Sequence, residues 1–115
     1  MKFHIKTYGC QMSERDSEAL ACLLEADGAV STDSEEDADL IIFNTCSVRD
    51  QAERKAIGKI GFMKKIKARN PKLVVGCIGC MAQNYGDKLL KDLPVLDFVV
   101  GTDQIHRVPE IVKNI

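Results

Sequence analysis

An α/β fold built on a parallel sheet is the architecture that this sequence predicts, and two patterns lead to it. Short apolar runs, typical of buried strands, alternate with longer runs in which apolar residues recur at helical spacing. The segments between the apolar runs are long enough to hold the crossover helices that parallel strands require. The 115 residues suffice for one such domain with its own core.

The first strand and the first helix follow from the segment before Gly28. Residues 3–8 alternate between apolar and polar side chains as a strand does, and Gly9 ends the run. Ser13 and Asp16 then resemble a capping box, which starts a helix. Gly28 is a stop signal for that helix. Its predicted apolar stripe consists of Ala19, Leu20, Leu23 and Leu24.

The middle of the chain predicts a short edge strand over residues 29–32, an acidic loop over 33–39 and then a buried strand. Residues 40–43 are continuously apolar, as in a strand covered on both faces of a parallel sheet. Ser47 is a second cap-like start, and the helix after it is expected to run to about Arg69. Its apolar residues recur at helical spacing: Val48, Ala52, Ala56, Ile60 and Met63. Two glycines inside it predict close packing or a bend: Gly58 and Gly61.

The last third of the chain supplies two more strands, at residues 73–76 and 96–100, with a helix over 82–91 between them. Pro109 is expected to split the C-terminal segment into a short turn and a short helix. The complete set predicts a three-layer α/β domain over residues 1–115, with a five-stranded, mainly parallel sheet. We expect a flavodoxin- or Rossmann-like topology with strand order 2-1-3-4-5.

Three cysteines stand in similar contexts, each after a strand-like run and before a helix-like run: Cys10, Cys46 and Cys80. With strand order 2-1-3-4-5 the first, third and fourth strands are neighbours, so these cysteines would share the carboxyl edge of the sheet. A helix N-terminus beside each would favour the thiolate, which is the form that ligates iron or zinc. We therefore predict a metal or cluster site on these cysteines. Three protein ligands, unlike four, leave one coordination position open.

The other cysteines and the histidines support different interpretations. Cys22 lies within the first helix and is predicted to be a buried core residue. Cys77 and Cys80 form a Cys-x-x-Cys pair, so a small redox or zinc-binding module is an alternative to the three-thiolate site. His4 and His106 are isolated in sequence, and we expect structural or surface roles for both. No Walker loop, Gly-x-Gly-x-x-Gly or Ser-His-Asp arrangement is present in the sequence.

Charge is distributed unevenly along the chain, although the net charge is only −1. Residues 14–39 carry ten acidic residues and one basic residue, whereas residues 49–72 carry nine basic residues and two acidic ones. Two solvated helix faces are the favoured interpretation, and an RNA-docking patch on the helix from Arg49 to Arg69 is the alternative. The absence of a long apolar run and of a signal peptide, together with an odd number of cysteines, predicts a cytoplasmic protein without a disulfide framework or membrane association.

Three segments resemble the signatures of the methylthiotransferase family. They are Thr-Tyr-Gly-Cys-Gln-Met at residues 7–12, Asn-Thr-Cys-Ser-Val-Arg at 44–49 and Gly-Cys-Met-Ala-Gln at 79–83. Asp-Ser-Glu at 16–18 and Ala-Glu at 52–53 extend the first two matches. The resemblance covers essentially the whole chain, as the N-terminal domain of those larger enzymes. Its details are most similar to the MiaB branch, which acts on isopentenylated adenosine in tRNA.

The resemblance implies a set of cofactors and ligands. Cys10, Cys46 and Cys80 would hold an auxiliary [4Fe-4S] cluster, whose open iron carries the sulfur of the methylthio group. A second [4Fe-4S] cluster and S-adenosylmethionine would lie on a radical domain, and a third domain would help bind tRNA. The product would carry a methylthio group at C2 of the adenosine next to the anticodon.

The sequence departs from the family pattern in three respects. Ser13 stands where asparagine is usual, and serine is an equally good helix cap. Cys77 is an additional thiol beside the implied site. No Cys-x-x-x-Cys-x-x-Cys motif occurs within these 115 residues. We therefore expect no catalytic residue in this chain, no activity from the chain alone, and a monomer.

Overall fold

Strands and helices follow one another along the described parts of the chain. The computed structural model describes residues 1–8, 11–45, 50–79 and 86–114. In chain order the elements are β1 Lys2–Tyr8, α1 Gln11–Ala26, β2 Val30–Ser31, β3 Leu40–Thr45, α2 Asp50–Arg69, β4 Val74–Gly79, α3 Asp87–Asp92, β5 Phe98–Val100, a 3₁₀ helix Thr102–Arg107 and α4 Val108–Lys113. The strands form one sheet in the order β2-β1-β3-β4-β5, and every pairing is parallel. The predicted α/β class and strand order are confirmed.

Helices cover both faces of the sheet, which makes the three predicted layers. On one face, α1, the 3₁₀ helix and α4 pack against alternate strand residues; this cluster includes Phe3, Leu20, Leu24, Leu40, Ile42, Ile78, Phe98, Ile105 and Val108. On the other face, α2 and α3 pack against the intervening strand residues; this cluster includes Ile41, Phe43, Ile60, Met63, Val75, Cys77 and Leu89. All six residues of β3 are buried, which explains the continuous apolar run of that strand.

Helix α1 differs from its prediction in where it begins and in which face it buries. It begins at Gln11, so Ser13 lies inside the helix and is not its N-cap. Leu20 and Leu24 are fully buried, whereas Leu23 is 37% exposed, and Cys22 is exposed. The prediction of Cys22 as a core residue was therefore wrong. A buried stripe through Leu20 and Leu24 turns the residues between them toward solvent.

Helix α2 follows its prediction more closely. It ends at Arg69, as expected. The predicted cap at Ser47 and the apolar Val48 lie outside the described residues. A Cβ added at Gly58 or Gly61 would have no neighbouring atom within 4 Å, so of the two expected alternatives close packing is wrong, and a bend stays a prediction. Three apolar residues at helical spacing are buried against the sheet: Ile60, Met63 and Ile66.

The C-terminal part contains the predicted elements with different bounds. Strand β4 extends to Gly79, three residues beyond the predicted end at Gly76. The start of the helix predicted over residues 82–91 falls outside the described residues, and its described part is α3. Strand β5 is shorter than the predicted 96–100. The C-terminal segment divides as expected into a short 3₁₀ turn, Thr102–Arg107, and a short helix, α4. Pro109 lies in the first turn of α4, where its missing N–H costs nothing. Among the helices that the structure describes, none is long and apolar enough to cross a membrane.

The acidic loop after β2 forms ion pairs with β1 and with the basic helix α2. Glu35, in the acidic loop, pairs with Lys6 of β1 and lies 3.5 Å from the Nζ of Lys59 on α2. Glu36 lies 3.5 Å from a guanidinium nitrogen of Arg69 in a fully solvated pair. Burial, and secondly the nearby Lys59 charge, lowers the pKa of Lys6. Part of the positive charge of α2 is thus neutralised within the domain.

Two aspartates fix the register of the sheet at its amino edge. Asp39 donates its N–H to the carbonyl of Lys2 at 2.7 Å, and its carbonyl accepts from Val74 N at 3.0 Å. The Asp39 carboxylate also accepts from Lys2 N at 2.9 Å. Asp97 accepts from Val75 N through its carboxylate at 2.9 Å and donates its own N–H to the Val75 carbonyl at 2.7 Å. These contacts tie together the starts of β1, β3, β4 and β5.

Gly76 provides a test of the sheet packing. A Cβ at this position would fall within the ring of Phe98, the register partner of Gly76 on β5. We expect Gly76→Ala to lower the free energy of unfolding by about 1–3 kcal/mol, because overpacking forces the ring or the backbone to move. The measurement is the urea midpoint followed by circular dichroism.

Gly58→Ala is the matched control for this change. It adds the same methyl group to an exposed helical position with open space around it, and should raise the free energy of unfolding by up to about 1 kcal/mol. Equal effects of the two substitutions would contradict the proposed packing of Phe98 on Gly76.

Candidate metal centre

The carboxyl ends of β1, β3 and β4 form one row at the edge of the sheet. Tyr8 pairs in register with Thr45, and Thr45 pairs in register with Gly79. Each of these residues is the last one of its strand. Three neighbouring strands therefore end level with one another, at the edge where open α/β sheets bind their ligands.

The three predicted ligands follow this row directly in the sequence. Cys10 comes two residues after the end of β1, while Cys46 and Cys80 each come one residue after the end of their strands. All three cysteines lie outside the described residues. Helix α1 begins at the residue after Cys10. The strands that precede the three cysteines thus end in one row, as the predicted strand order requires.

Gly79 brings the backbones of β3 and β4 close together at the end of the row. Its φ of +102° is in the left-handed region, which residues with a side chain rarely adopt. A Cβ on Gly79 would collide with the Thr45 carbonyl and would lie 2.7 Å from Asn44 Oδ1. Glycine is therefore required immediately before Cys80.

Thr45 and Asn44 end β3 as buried polar residues, each with a hydrogen-bonded partner. The Thr45 hydroxyl donates to the carbonyl of Ile78 at 3.3 Å. The Asn44 side chain lies on the opposite face of the sheet, and its Nδ2 donates to Ser17 Oγ at 2.9 Å. Ser17 Oγ also shares a hydrogen bond of 2.7 Å with Thr7 Oγ1.

Reasoning from the residues alone did not single out this role of Ser17. A signal for it exists, since Ser17 stands three and seven residues before Leu20 and Leu24, in line with the buried stripe of α1. A hydroxyl on an otherwise apolar stripe needs a partner inside the fold, and here the partners are strand side chains.

Tyr8 packs on the α2 face of the sheet, at the end of the row. Its ring is stacked on Phe43, with centroids 6.1 Å apart and planes inclined by 13°. Burial raises the pKa of the Tyr8 phenol. The stacking fixes the end of β1 against β3, directly before the segment that carries Cys10.

Cys77 is enclosed in the core on the α2 face, with no exposed surface. Its Sγ lies 3.7 Å from Thr45 Oγ1. Burial raises the pKa of the Cys77 thiol to about 11, and the weaker opposing effect is the hydrogen bond with Thr45. A protonated, enclosed thiol is a poor metal ligand and a poor nucleophile, which counts against the Cys77–Cys80 alternative.

The remaining candidate ligands have structural or surface positions. His4 donates from Nδ1 to the carbonyl of Thr32 at 2.8 Å, which ties β1 to the loop after β2. His106 is exposed. Within residues 1–8, 11–45, 50–79 and 86–114, no three His, Cys, Asp or Glu side chains are grouped so that they could hold a metal ion.

Comparison with known proteins gives the family of the chain. Residues 2–101 match the model described as "Uncharacterized protein family UPF0004". The chain belongs to this family. It corresponds to the N-terminal domain of the methylthiotransferase family, and it is similar over nearly its whole length to proteins named tRNA-2-methylthio-N(6)-dimethylallyladenosine synthase.

Relatives with that name align with nearly all of the UPF0004 chain. The relative from Opitutus terrae is 53% identical over 99% of this chain and 24% of its own length. The relative from Akkermansia muciniphila is 53% identical over 99% of this chain and 25% of its own length. The relative from Bacillus licheniformis is 47% identical over 98% of this chain and 23% of its own length. The UPF0004 chain thus spans about a quarter of the length of these relatives.

The raised pKa of Cys77 predicts how the stability of the UPF0004 domain depends on pH. Below pH 9 the thiol is protonated in both the folded and the unfolded chain, whereas above its ordinary pKa of 9.0 only the unfolded chain ionises, until the folded pKa of about 11 is reached. The free energy of unfolding should therefore fall between about pH 9 and pH 11. Urea unfolding of the reduced protein across this range measures the fall.

The variant Cys77→Ala should lose this part of the pH dependence, while retaining the contribution of lysines and tyrosines. The matched control is Cys22→Ala, which removes an exposed thiol and should follow the unmodified protein. Parallel curves for the unmodified protein and Cys77→Ala would mean that Cys77 is not held as a protonated core thiol.

Proposed function

We propose that this domain holds the auxiliary [4Fe-4S] cluster of a tRNA methylthiotransferase through Cys10, Cys46 and Cys80. The observation that carries the proposal is the in-register row of strand ends at Tyr8, Thr45 and Gly79. The names of the relatives supply the reaction class and the nucleoside. The complete enzyme would add a methylthio group to C2 of isopentenylated adenosine next to the anticodon.

Covalent geometry supports a common site for the three thiols. Consecutive Cα atoms are about 3.8 Å apart, and paired strands are about 4.8 Å apart. Cys46 and Cys80 each follow a member of the row by one residue, and Cys10 follows one by two residues. Such short connections to one row of strand ends would allow the three thiols to reach a single cluster, as the proposal requires.

The described residues around the row suit an anionic cluster. Helix α1 begins directly after Cys10, and its free N–H groups and positive dipole end favour thiolate over thiol there. Gly79 has no side chain, so the backbone before Cys80 can approach a bulky group closely. When bound, a cluster held by three thiolates would supply an iron with an open position for the sulfur that is transferred.

The chain alone would not carry out the reaction. It spans about a quarter of its relatives, and the proposal assigns S-adenosylmethionine, a second [4Fe-4S] cluster and most tRNA contacts to the rest of the enzyme. The role of the present chain would be to hold the auxiliary cluster. As part of a tRNA-modifying enzyme it would act in the cytoplasm, and alone it would be a monomer.

Anaerobic reconstitution with iron and sulfide tests the cluster proposal. We expect about four irons and four sulfides per chain with a broad visible absorption. Cys10→Ala, Cys46→Ala and Cys80→Ala should each lower the bound iron substantially. Cys22→Ala and Cys77→Ala are matched controls that remove a thiol elsewhere, and both should bind iron like the unmodified protein.

Two outcomes would overturn the assignment. Full iron binding by all three of Cys10→Ala, Cys46→Ala and Cys80→Ala would eliminate the three-thiolate site. Loss of metal in Cys77→Ala, with full binding in Cys10→Ala, would establish the Cys-x-x-Cys module instead.

A second candidate function, contact with RNA, is favoured by one observation on α2. The ring of Phe62 is 46% exposed, and the Nζ atoms of Lys59 and Lys65 lie 4.9 and 5.6 Å from its centroid. An exposed ring flanked by cations could stack on a base while the lysines contact phosphates. Helix α2 carries seven basic and two acidic residues, although Glu35 neutralises part of this charge.

Charge reversal on α2 tests this candidate. Lys64 and Lys65 are exposed, and the double change Lys64→Glu/Lys65→Glu should weaken tRNA binding about tenfold or more and reduce its salt dependence, because phosphate contacts are lost. Phe62→Ala should weaken binding with little change in the salt dependence. Lys67 is unsuitable because it is bound to Asp97 at 2.7 Å and to the carbonyl of Val95.

The matched control places the same charge change on α3, at the exposed Lys88 and Lys91. Filter binding with isopentenylated tRNA at several salt concentrations measures all variants. If the α2 reversal and the α3 reversal weaken binding equally, only the net charge matters and α2 is not a docking surface.

A further inference from the structure

Three polar side chains are joined by hydrogen bonds just inside the carboxyl edge, on the sheet face covered by α1. Thr7 and Asn44 are register partners on β1 and β3, so their side chains lie next to each other on that face. Ser17 of α1 lies over both, with its Oγ 2.7 Å from Thr7 Oγ1 and 2.9 Å from Asn44 Nδ2. We call these three residues the Ser17 node.

The node also reaches the fourth strand. Asn44 is 1% exposed, and its Oδ1 lies 2.7 Å from the point where a Cβ of Gly79 would stand. The Asn44 side chain therefore packs against the last residue of β4. The Ser17 node thus contacts the three strands that end at the predicted cysteines, and it anchors the helix that begins after Cys10.

We propose that Ser17 is a positioning residue for the cysteine site. Its hydroxyl, with one donor and two acceptor positions, can satisfy the Thr7 hydroxyl and the Asn44 amide at the same time. By doing so it would hold the start of α1 in a fixed place relative to the ends of β1 and β3. The strand pairing sets the ends of β1 and β3, and Ser17 would set where the segment carrying Cys10 turns into α1.

The identity of the ligand rests on the function proposed above, but the geometric role of Ser17 does not. In Ser17→Ala, α1 loses the hydrogen bonds that Ser17 Oγ makes with Thr7 Oγ1 and Asn44 Nδ2. The apolar contacts of Leu20 and Leu24 remain. The helix should therefore stay folded while its first turns vary in position.

A cross-linking experiment measures this role without a cluster. The background carries Cys22→Ser and Cys80→Ala, and Cys77 is enclosed, so a short bis-maleimide can join only Cys10 and Cys46 within one chain. Ser17→Ala should slow intramolecular cross-linking about fivefold, a factor that corresponds to the net worth of one neutral hydrogen bond. Thr7→Val keeps the shape of the side chain and should slow it by a smaller factor.

The matched control is Ser31→Ala, which removes the hydroxyl of an exposed serine on β2 and should cross-link at the unmodified rate. Circular dichroism checks the fold, and if Ser17→Ala does not fold, the isosteric Thr7→Val decides. Cross-linking at the unmodified rate in the folded variants would overturn the role of Ser17.

The same variants with all other cysteines restored are then reconstituted with iron and sulfide. Ser17→Ala should release iron to a chelator several-fold faster than Ser31→Ala and should show an altered electron paramagnetic resonance spectrum after reduction. An unchanged release rate and spectrum would overturn the role at the cluster. If the unmodified protein binds no iron, the proposed function fails, whereas the cross-linking result still decides the role of Ser17.

Discussion

The in-register pairing of β1, β3 and β4 is the constraint on which the candidate centre depends. A slip of one residue in any of these strands would exchange its two faces and move its end by about 3.3 Å. The Asp39 and Asp97 contacts hold the starts of the strands level at the amino edge. Because the strands start level and are of similar length, they also end level, and the cysteine-bearing segments leave the sheet from a single row.

Strand β3 changes from apolar to polar side chains over its last two residues, directly before the predicted cysteine site. Leu40 to Phe43 are apolar and buried, and the next two residues, Asn44 and Thr45, are equally buried but polar. A buried polar group without a partner costs about 1–3 kcal/mol. The Asn44 bond to Ser17 and the Thr45 bond to Ile78 offset this cost. These hydrogen bonds fix the polar end of β3 within the fold. The chain therefore leaves the sheet toward the next residue, Cys46, from a defined position.

Local patterns predicted the sheet well, because each strand in its middle is buried on both faces and has to be apolar there. The run at residues 40–43 identified β3 for that reason, and strand order followed from crossover rules. The details of α1 were harder to predict. Leu23 and Leu24 both fit a helical stripe, and only the sheet contacts of Leu24 decide which is buried. Cys22 was wrongly predicted to be buried for the same reason, since contacts with the sheet decide which face of α1 is buried. The role of Ser17 depends on two strand residues that are distant in sequence, Thr7 and Asn44.

The alternation of side chains along β4 turns Cys77 into the core, so its thiol is less reactive than a thiol at the sheet edge would be. Its side chain lies on the same face as Phe43 and Val75, and α2 and α3 cover that face. Thiol–disulfide exchange needs a thiolate with access to the sulfur that it attacks, and burial of Cys77 removes both conditions. The Cys-x-x-Cys spacing therefore joins an interior strand position to a position beyond the strand end. A Cys-x-x-Cys pair can support redox or zinc chemistry only where both thiols are accessible. The position of Cys77 inside β4 makes its thiol inaccessible.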